Sequence, residues 1–259
     1  TLESIEAYRA RGVDIAFDCY PYLMGCTFLN AFVLAASVCE GGAKAMLQRI
    51  RDPKERIMLR RGGQEPNWDD VFLSAIPSEK NRRFEGLSLA EFARQWGKDP
   101  LTSCCELILE EGNKVTAIGV TAEEEDLRKI ISHRLCVVGS DAIYLGGRCH
   151  PRAFGSFSRY LAVYCRDLKL MTLEEAVRKI TSLPAQRFGF TDRGVLRKGM
   201  AADVTVFDFD NLRDKATYQN PRQFPEGVKW VIVNGQMVLD DGQHTGATPG
   251  RALRGSGSA

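Results

Sequence analysis

Histidine is scarce in this chain. Among 259 residues there are three, at positions 133, 150 and 244, and no two form a His-x-His pair. A zinc centre needs several imidazole, thiolate or carboxylate donors at close quarters, so these residues cannot build a metal cage by themselves. The eight cysteines form no Cys-x-x-Cys pair, and most lie inside apolar runs such as IAFDCYPY and RLCVVGS. That pattern reads as buried free thiols and excludes a disulfide-dense secreted scaffold. Also missing is any basic block longer than a few residues. Thirty-five Lys and Arg against 33 Asp and Glu leave a net charge of +2, so composition gives no support for a nucleic-acid or membrane-surface partner. No segment approaches the ~20 apolar residues of a membrane span, and the opening TLESIEAYRARG lacks a leader's apolar centre, so a cytoplasmic location is expected.

What is present is an ordinary globular composition, 44% hydrophobic and 26% charged, sufficient for a large core. Leu2, Ile5 and Tyr8 recur at helical spacing up to Gly12 with Thr1 as the cap, and VDIAFDCYPY then reads as a buried strand. From 23 to 85 the pattern is less regular: AKAMLQRI predicts a helix, RDPKERIMLRRG is charged, and GGQEPNW reads as a loop. Regularity returns with capping signatures at SLAE from Ser88 and TAEE from Thr121, each opening a helix. Between them lie the helix PLTSCCELILEEG and the strand KVTAIGV, and RLCVVGS follows as another strand. Helix and strand in alternation predict a parallel sheet covered by helices.

From Thr172, TLEEAVRKITS repeats the capping pattern with Glu175, and a second short helix at LPAQRFGF follows. After about residue 193 the pattern changes to alternating strands parted by Gly and Asn-Gly turns, which predicts a small β unit over 193–250. The remainder, 251–259, is Gly/Ser-rich and reads as a flexible tail.

The stretch VVGSDAIYLGGRCHPR holds the candidate chemistry. Functional side chains of α/β folds collect where parallel strands end, and Asp141 lies just past such an end. Ser-Asp after a strand is equally a turn opener, and position alone does not separate the two.

Several separate stretches resemble the N-acyl-D-amino-acid deacylase branch of the amidohydrolase superfamily. They are HPRAFGSFSR, PAQRFGF, GMAADVTVFD, VIVNGQMVLDDGQHTGATPGRALR and, near the start, DCYPYLMGCT beside that family's DxYPYxAGST. The likeness runs from about residue 2 to 254 and matches the family's C-terminal half. It implies the C-terminal half of a (β/α)8 barrel over 1–192, a β-sandwich segment over 193–250, zinc as cofactor, and hydrolysis of the amide joining an acyl group to a D-amino acid. On this resemblance Asp141 is a metal ligand and the carboxylate that moves the proton from the attacking water to the leaving amine. Arg152 matches the arginine that pairs the substrate carboxylate, and Tyr20 a further contact to it. Cys26 stands where the family has serine, and a thiol is a poorer donor to a carboxylate than a hydroxyl. His150 is either a substrate contact or a loop-packing histidine, and His133 and His244 read as structural.

The family's other zinc ligands lie N-terminal to the matched region. Most of the ion's ligands are therefore expected outside this sequence, in a complementary N-terminal half that also covers the open edges of a half barrel. The alternative is a non-catalytic fragment that keeps the family's shape as a binding or scaffold subunit.

Overall fold

The computed structural model describes residues 1–52 and 66–254. Most of the charged stretch at 51–62, part of the loop at 62–68 and residues 255–259 of the tail lie outside the described residues. α1 (Leu2–Ala10) is capped by Thr1, whose Oγ1 accepts from the Ser4 amide. β1 (Phe17–Cys19) then pairs in parallel with β5 (Cys136–Val138), Phe17 opposite Cys136 and Cys19 opposite Val138. This pair is the only parallel ladder among the described residues.

The alternation of helix and strand predicted more parallel pairing than the structure contains. β2 (Met24–Phe28), β3 (Val71–Ala75) and β4 (Thr116–Val120) form an antiparallel sheet in the order β2-β4-β3. The reason lies between β3 and β4, where two helices, Leu89–Trp96 and Pro100–Glu110, replace the single crossover of a βαβ unit. Two successive returns reverse the chain, so β4 enters against β3. Ser88 caps the first helix in a full capping box with Glu91, as its spacing predicts, and Gly97 at φ 84° turns the chain toward the second. Asp99 caps that second helix, with Pro100 in its first turn.

This antiparallel sheet has its own core, built on Leu29, Phe32, Leu73, Phe92, Leu107 and Ile108. Phe32 packs where Gly119 has no side chain; a Cβ there would stand 2.8 Å from the ring. A second core joins Leu127, Ile131, Val138, Tyr160, Leu161 and Tyr164 around β5. Its helices are Glu124–Ser132, Arg152–Arg159 with a π-helical continuation over Tyr160–Asp167, and Leu173–Ile180. Thr172 caps the last of these through the Glu175 amide. Thr121, by contrast, is no cap: the helix starts after Glu123, and the Thr121 hydroxyl donates to the Leu23 carbonyl, drawn there by the β2–β4 pairing.

The C-terminal strands β6 (Val204–Phe207), β7 (Val228–Val233), β8 (Gln236–Asp240) and β9 (Gln243–His244) form an antiparallel sheet in sequence order, leaving β6 at an edge. Asn234 and Gly235, both at positive φ, make the β7–β8 turn. Arg166 ties this sheet to the helical layer by donating to the carbonyls of Phe209 and Leu212.

Lys179 is fully buried, and its Nζ donates to the carbonyls of Ile131 at 2.8 Å and His133 at 2.6 Å. It closes the C-terminal end of the Glu124–Ser132 helix, where cations are favoured. Lys179→Met keeps the apolar stem and strands both carbonyls, so unfolding in urea should show a loss of about 2 kcal/mol or more. An unchanged midpoint would show that the ammonium contributes nothing net.

Candidate active site

Parallel pairing of β1 with β5 brings the ends of both strands side by side. Tyr20 follows β1 and Asp141 follows β5, and the Gly139 amide extends the ladder by donating to the Cys19 carbonyl. Gly139 is required there, because a Cβ would come within 2.9 Å of the Asp18 carboxylate. Beyond it, Asp141 adopts a left-handed backbone at φ 47°, uncommon for a residue with a side chain and tolerated best by Asn and Asp. Its carboxylate is 60% exposed and accepts from Arg152 at 2.7 Å.

Arg152 is the opposite case, with its side chain 1% exposed. It opens the helix Arg152–Arg159, and its Nη2 donates to the Cys26 carbonyl at 3.2 Å as well as to Asp141. The guanidinium lies 4.5 Å from the centre of the Tyr20 ring, at stacking distance. Its buried Nε has no hydrogen-bond partner among the described residues. The exposed Asp141 carboxylate and the Tyr20 ring offset part of what it costs to bury this cation.

His150 holds this cation in place. Its Nδ1 accepts from the Arg152 amide at 3.0 Å, and its Nε2 lies 2.8 Å from the Met24 carbonyl and donates to it. Tyr20, Tyr22 and Tyr218 all meet the imidazole edge-on. Burial lowers its pKa from 6.5 to about 3, opposed by the Met24 carbonyl and assisted by Arg152, so the ring is neutral. Both ring nitrogens of His150 are thus engaged inside the chain.

Cys26 is buried in β2, and it is its carbonyl that touches Arg152. Burial pushes the thiol pKa up, with Arg152 and Ser74 opposing, so it is protonated near neutral pH. Tyr20 is half-buried, its hydroxyl beside Thr121 and the bare Cα of Gly25. Asp141, the Tyr20 ring and the Cys26 carbonyl thus converge on the Arg152 guanidinium, while His150 meets the Arg152 backbone amide. The other histidines stand apart: His133 pairs with Glu6 at 2.9 Å, and His244, on the exposed β9, accepts from the Gly246 amide. Among the described residues no group of three or more His, Cys, Asp or Glu could hold a metal ion. The chain's own residues do not fit a complete zinc centre, and Asp141 offers one carboxylate.

Residues 106–239 match the amidohydrolase family. The chain belongs to that family. It is 36% identical over 98% of its length to N-acyl-D-glutamate deacylase and 33% identical over 98% to D-aminoacylase, both from Alcaligenes xylosoxydans xylosoxydans. Each of these matches covers 44% of the relative, so this amidohydrolase chain spans less than half the length of the curated relatives it matches. The crystal structure of N-acyl-D-glutamate deacylase from Bordetella bronchiseptica, complexed with zinc and a phosphonate inhibitor that mimics the tetrahedral intermediate, superposes with a TM-score of 0.72. The identity is 33%, over 94% of this chain and 44% of that one. The mixed α/β architecture is that of the solved deacylases.

Sequence reasoning missed Tyr22, Tyr218, Asp214 and Arg159, which support the site from behind. Tyr22 donates to Asp214 at 2.7 Å, and Arg159 stacks on the Tyr22 ring. The second tyrosine of the YPY motif was the one available signal.

The neutral His150 has a consequence in pH. The unfolded chain takes up a proton near pH 6.5 that the folded chain refuses until about pH 3. The stability contributed by the neutral ring is therefore complete above pH 6.5 and is lost as pH falls through that window. His150→Gln removes this titration. Between pH 7 and pH 4.5 the wild-type urea midpoint should fall further than the variant's, and parallel curves would count against a buried neutral ring.

Proposed function

We propose that this chain is the C-terminal part of a zinc-dependent amidohydrolase that cleaves the amide of N-acyl-D-amino acids. The observation that carries the reading is Arg152, a buried guanidinium with an unpartnered Nε, stacked on Tyr20 and facing Asp141. A D-amino acid carries one carboxylate next to its amide nitrogen. A planar two-donor fork fixes that group, and Asp141 stands one hydrogen bond away for the reacting end. Tyr20 and Cys26 complete the wall around the substrate carboxylate, and His150 keeps Arg152 aimed at it. Asp141 takes the proton from the attacking water and returns it to the departing amine. Zinc, when bound, supplies polarisation of the scissile carbonyl. Its remaining ligands belong to the complementary N-terminal portion.

In this reading residues 1–192 form part of a (β/α)8 barrel, 193–250 a segment of a β-sandwich, and 251–259 a tail. Two features support an incomplete assembly. Only one parallel strand pair is present among the described residues, and β6 is an unpaired edge. Between the C-terminal sheet and the helices runs an open apolar groove of about 890 Å³, lined by Phe157, Leu161, Val177, Phe188, Val204 and Val231. Phe188 is 67% and Leu196 81% exposed beside it. An interface with the remaining portion of the protein at this groove fits the reading. The eight cysteines are all free, which suits a reducing compartment such as the cytoplasm. No helix among the described residues is long and apolar enough to cross a membrane.

Assayed with the complementary portion and zinc, N-acetyl-D-amino acids should be hydrolysed, and the 259-residue chain with zinc alone should show no turnover. Robust activity from the chain alone would overturn the assignment of zinc ligands elsewhere; inactivity of the completed protein would favour the scaffold alternative. In the active assembly, Asp141→Asn should lower kcat by about 10² to 10⁴ with zinc content retained. Arg152→Lys should chiefly raise KM, since an ammonium cannot reproduce the fork. If N-acyl amino acids and their amides are hydrolysed equally well, Arg152 does not read the carboxylate.

A further inference from the structure

The geometry points to Glu85 as the positioning residue that sets the Asp141 loop, acting from the antiparallel sheet. Asp141 and Arg152 lie at the two ends of one connection, 139–151, and are anchored differently. Arg152 is fixed by burial and by His150. Asp141 sits in an exposed stretch; besides its own ion pair with Arg152 and the bond from the Tyr144 hydroxyl to the Ala153 carbonyl, that stretch is held by a glycine turn at 146–147.

Three contacts fasten the turn to β3 and the segment after it. Glu85 accepts from two backbone amides at once, Ile76 through Oε1 at 2.8 Å and Gly147 through Oε2 at 3.1 Å. Gly146, at φ 69°, lies so close to Ala75 that a Cβ would stand 2.6 Å from the Ala75 Cβ and 2.8 Å from its Cα. The Ser74 hydroxyl donates to the Arg148 carbonyl at 2.8 Å. On the other side, Arg222 donates to the Gly146 carbonyl at 2.9 Å. The turn is therefore gripped between the antiparallel sheet and the segment before β7.

Of these contacts Glu85 alone joins the end of β3 to the loop through one carboxylate. Both of its oxygens are committed to backbone donors. Gly146 cannot take a side chain, and the bare Cα is what permits the close seat on Ala75. A carboxylate that bridges two separate segments fixes their spacing more tightly than either bond alone, because a shift at one end strains the other. Five residues upstream, Asp141 inherits that spacing, and catalysis is sensitive to displacements of about an ångström.

The inference rests on the reading of Asp141 as proton carrier, and the test separates the two. Hydrogen exchange on the 259-residue chain reports the latch whatever the activity. In Glu85→Ala, exchange at the Gly147 amide should accelerate tenfold or more, while helix Pro100–Glu110 and strands β1 and β5 stay protected. Glu85→Gln, with one acceptor oxygen left, should fall between Ala and wild type, and it decides the matter if the alanine variant loses protection throughout. In the active assembly Glu85→Gln should lower kcat at least tenfold and leave KM within about threefold, because Arg152, although paired with Asp141, keeps its supports from His150 and the Cys26 carbonyl. Unchanged exchange at Gly147, or KM rising in step with the loss of kcat, would overturn the proposal. Full turnover in Asp141→Asn would instead remove the role of Asp141 and leave the exchange result standing.

Discussion

A guanidinium withdrawn from water is costly unless its donors are met and its surroundings are polar or aromatic. Arg152 is in that position, and much of the chain is arranged around it. Cys26 gives it a carbonyl, Tyr20 a ring face and Asp141 a carboxylate, while His150 fixes the start of its helix. These groups come from β2, from the end of β1, from the end of β5 and from the loop before the helix. The two parallel strands and the antiparallel sheet must therefore be in register before the cation can be buried. The Arg152 Nε is left without a partner among the described residues.

The antiparallel sheet is the other structural element that reaches the site. Its core is separate from the one around β5, yet its edge strand β3 and the turn after it grip the loop that carries Asp141. A unit with an independent core can hold such a loop firmly, since its stability does not depend on the loop's own few contacts. Asp141, in a left-handed conformation and largely exposed, is otherwise held by its ion pair with Arg152.

The same chain leaves a wide apolar surface open between its C-terminal sheet and the helices from 152 to 187. Burying that surface is favourable, and an antiparallel edge beside it offers unpaired backbone groups. Both features lie on a chain that spans less than half the length of the relatives it matches.

The sequence by itself determined the local elements. The capping box at Ser88, the cap at Thr172 and the Asn-Gly turn at 234–235 all depend on residues three or fewer positions apart, and all are found where their spacing places them. Motif likeness also picked out Asp141, Arg152, Tyr20 and Cys26, which the fold brings to one guanidinium, with His150 on the Arg152 backbone amide. Only the tertiary structure decided strand direction, because apolar alternation is the same for parallel and antiparallel pairing and the two-helix return between β3 and β4 sets the sense. It alone brought the His150 ring to the Met24 carbonyl, since that bond depends on how the loop meets β2. Glu85 carries no signal in the sequence: it meets Gly147 across 62 residues, a distance over which spacing says nothing and only packing brings the two together.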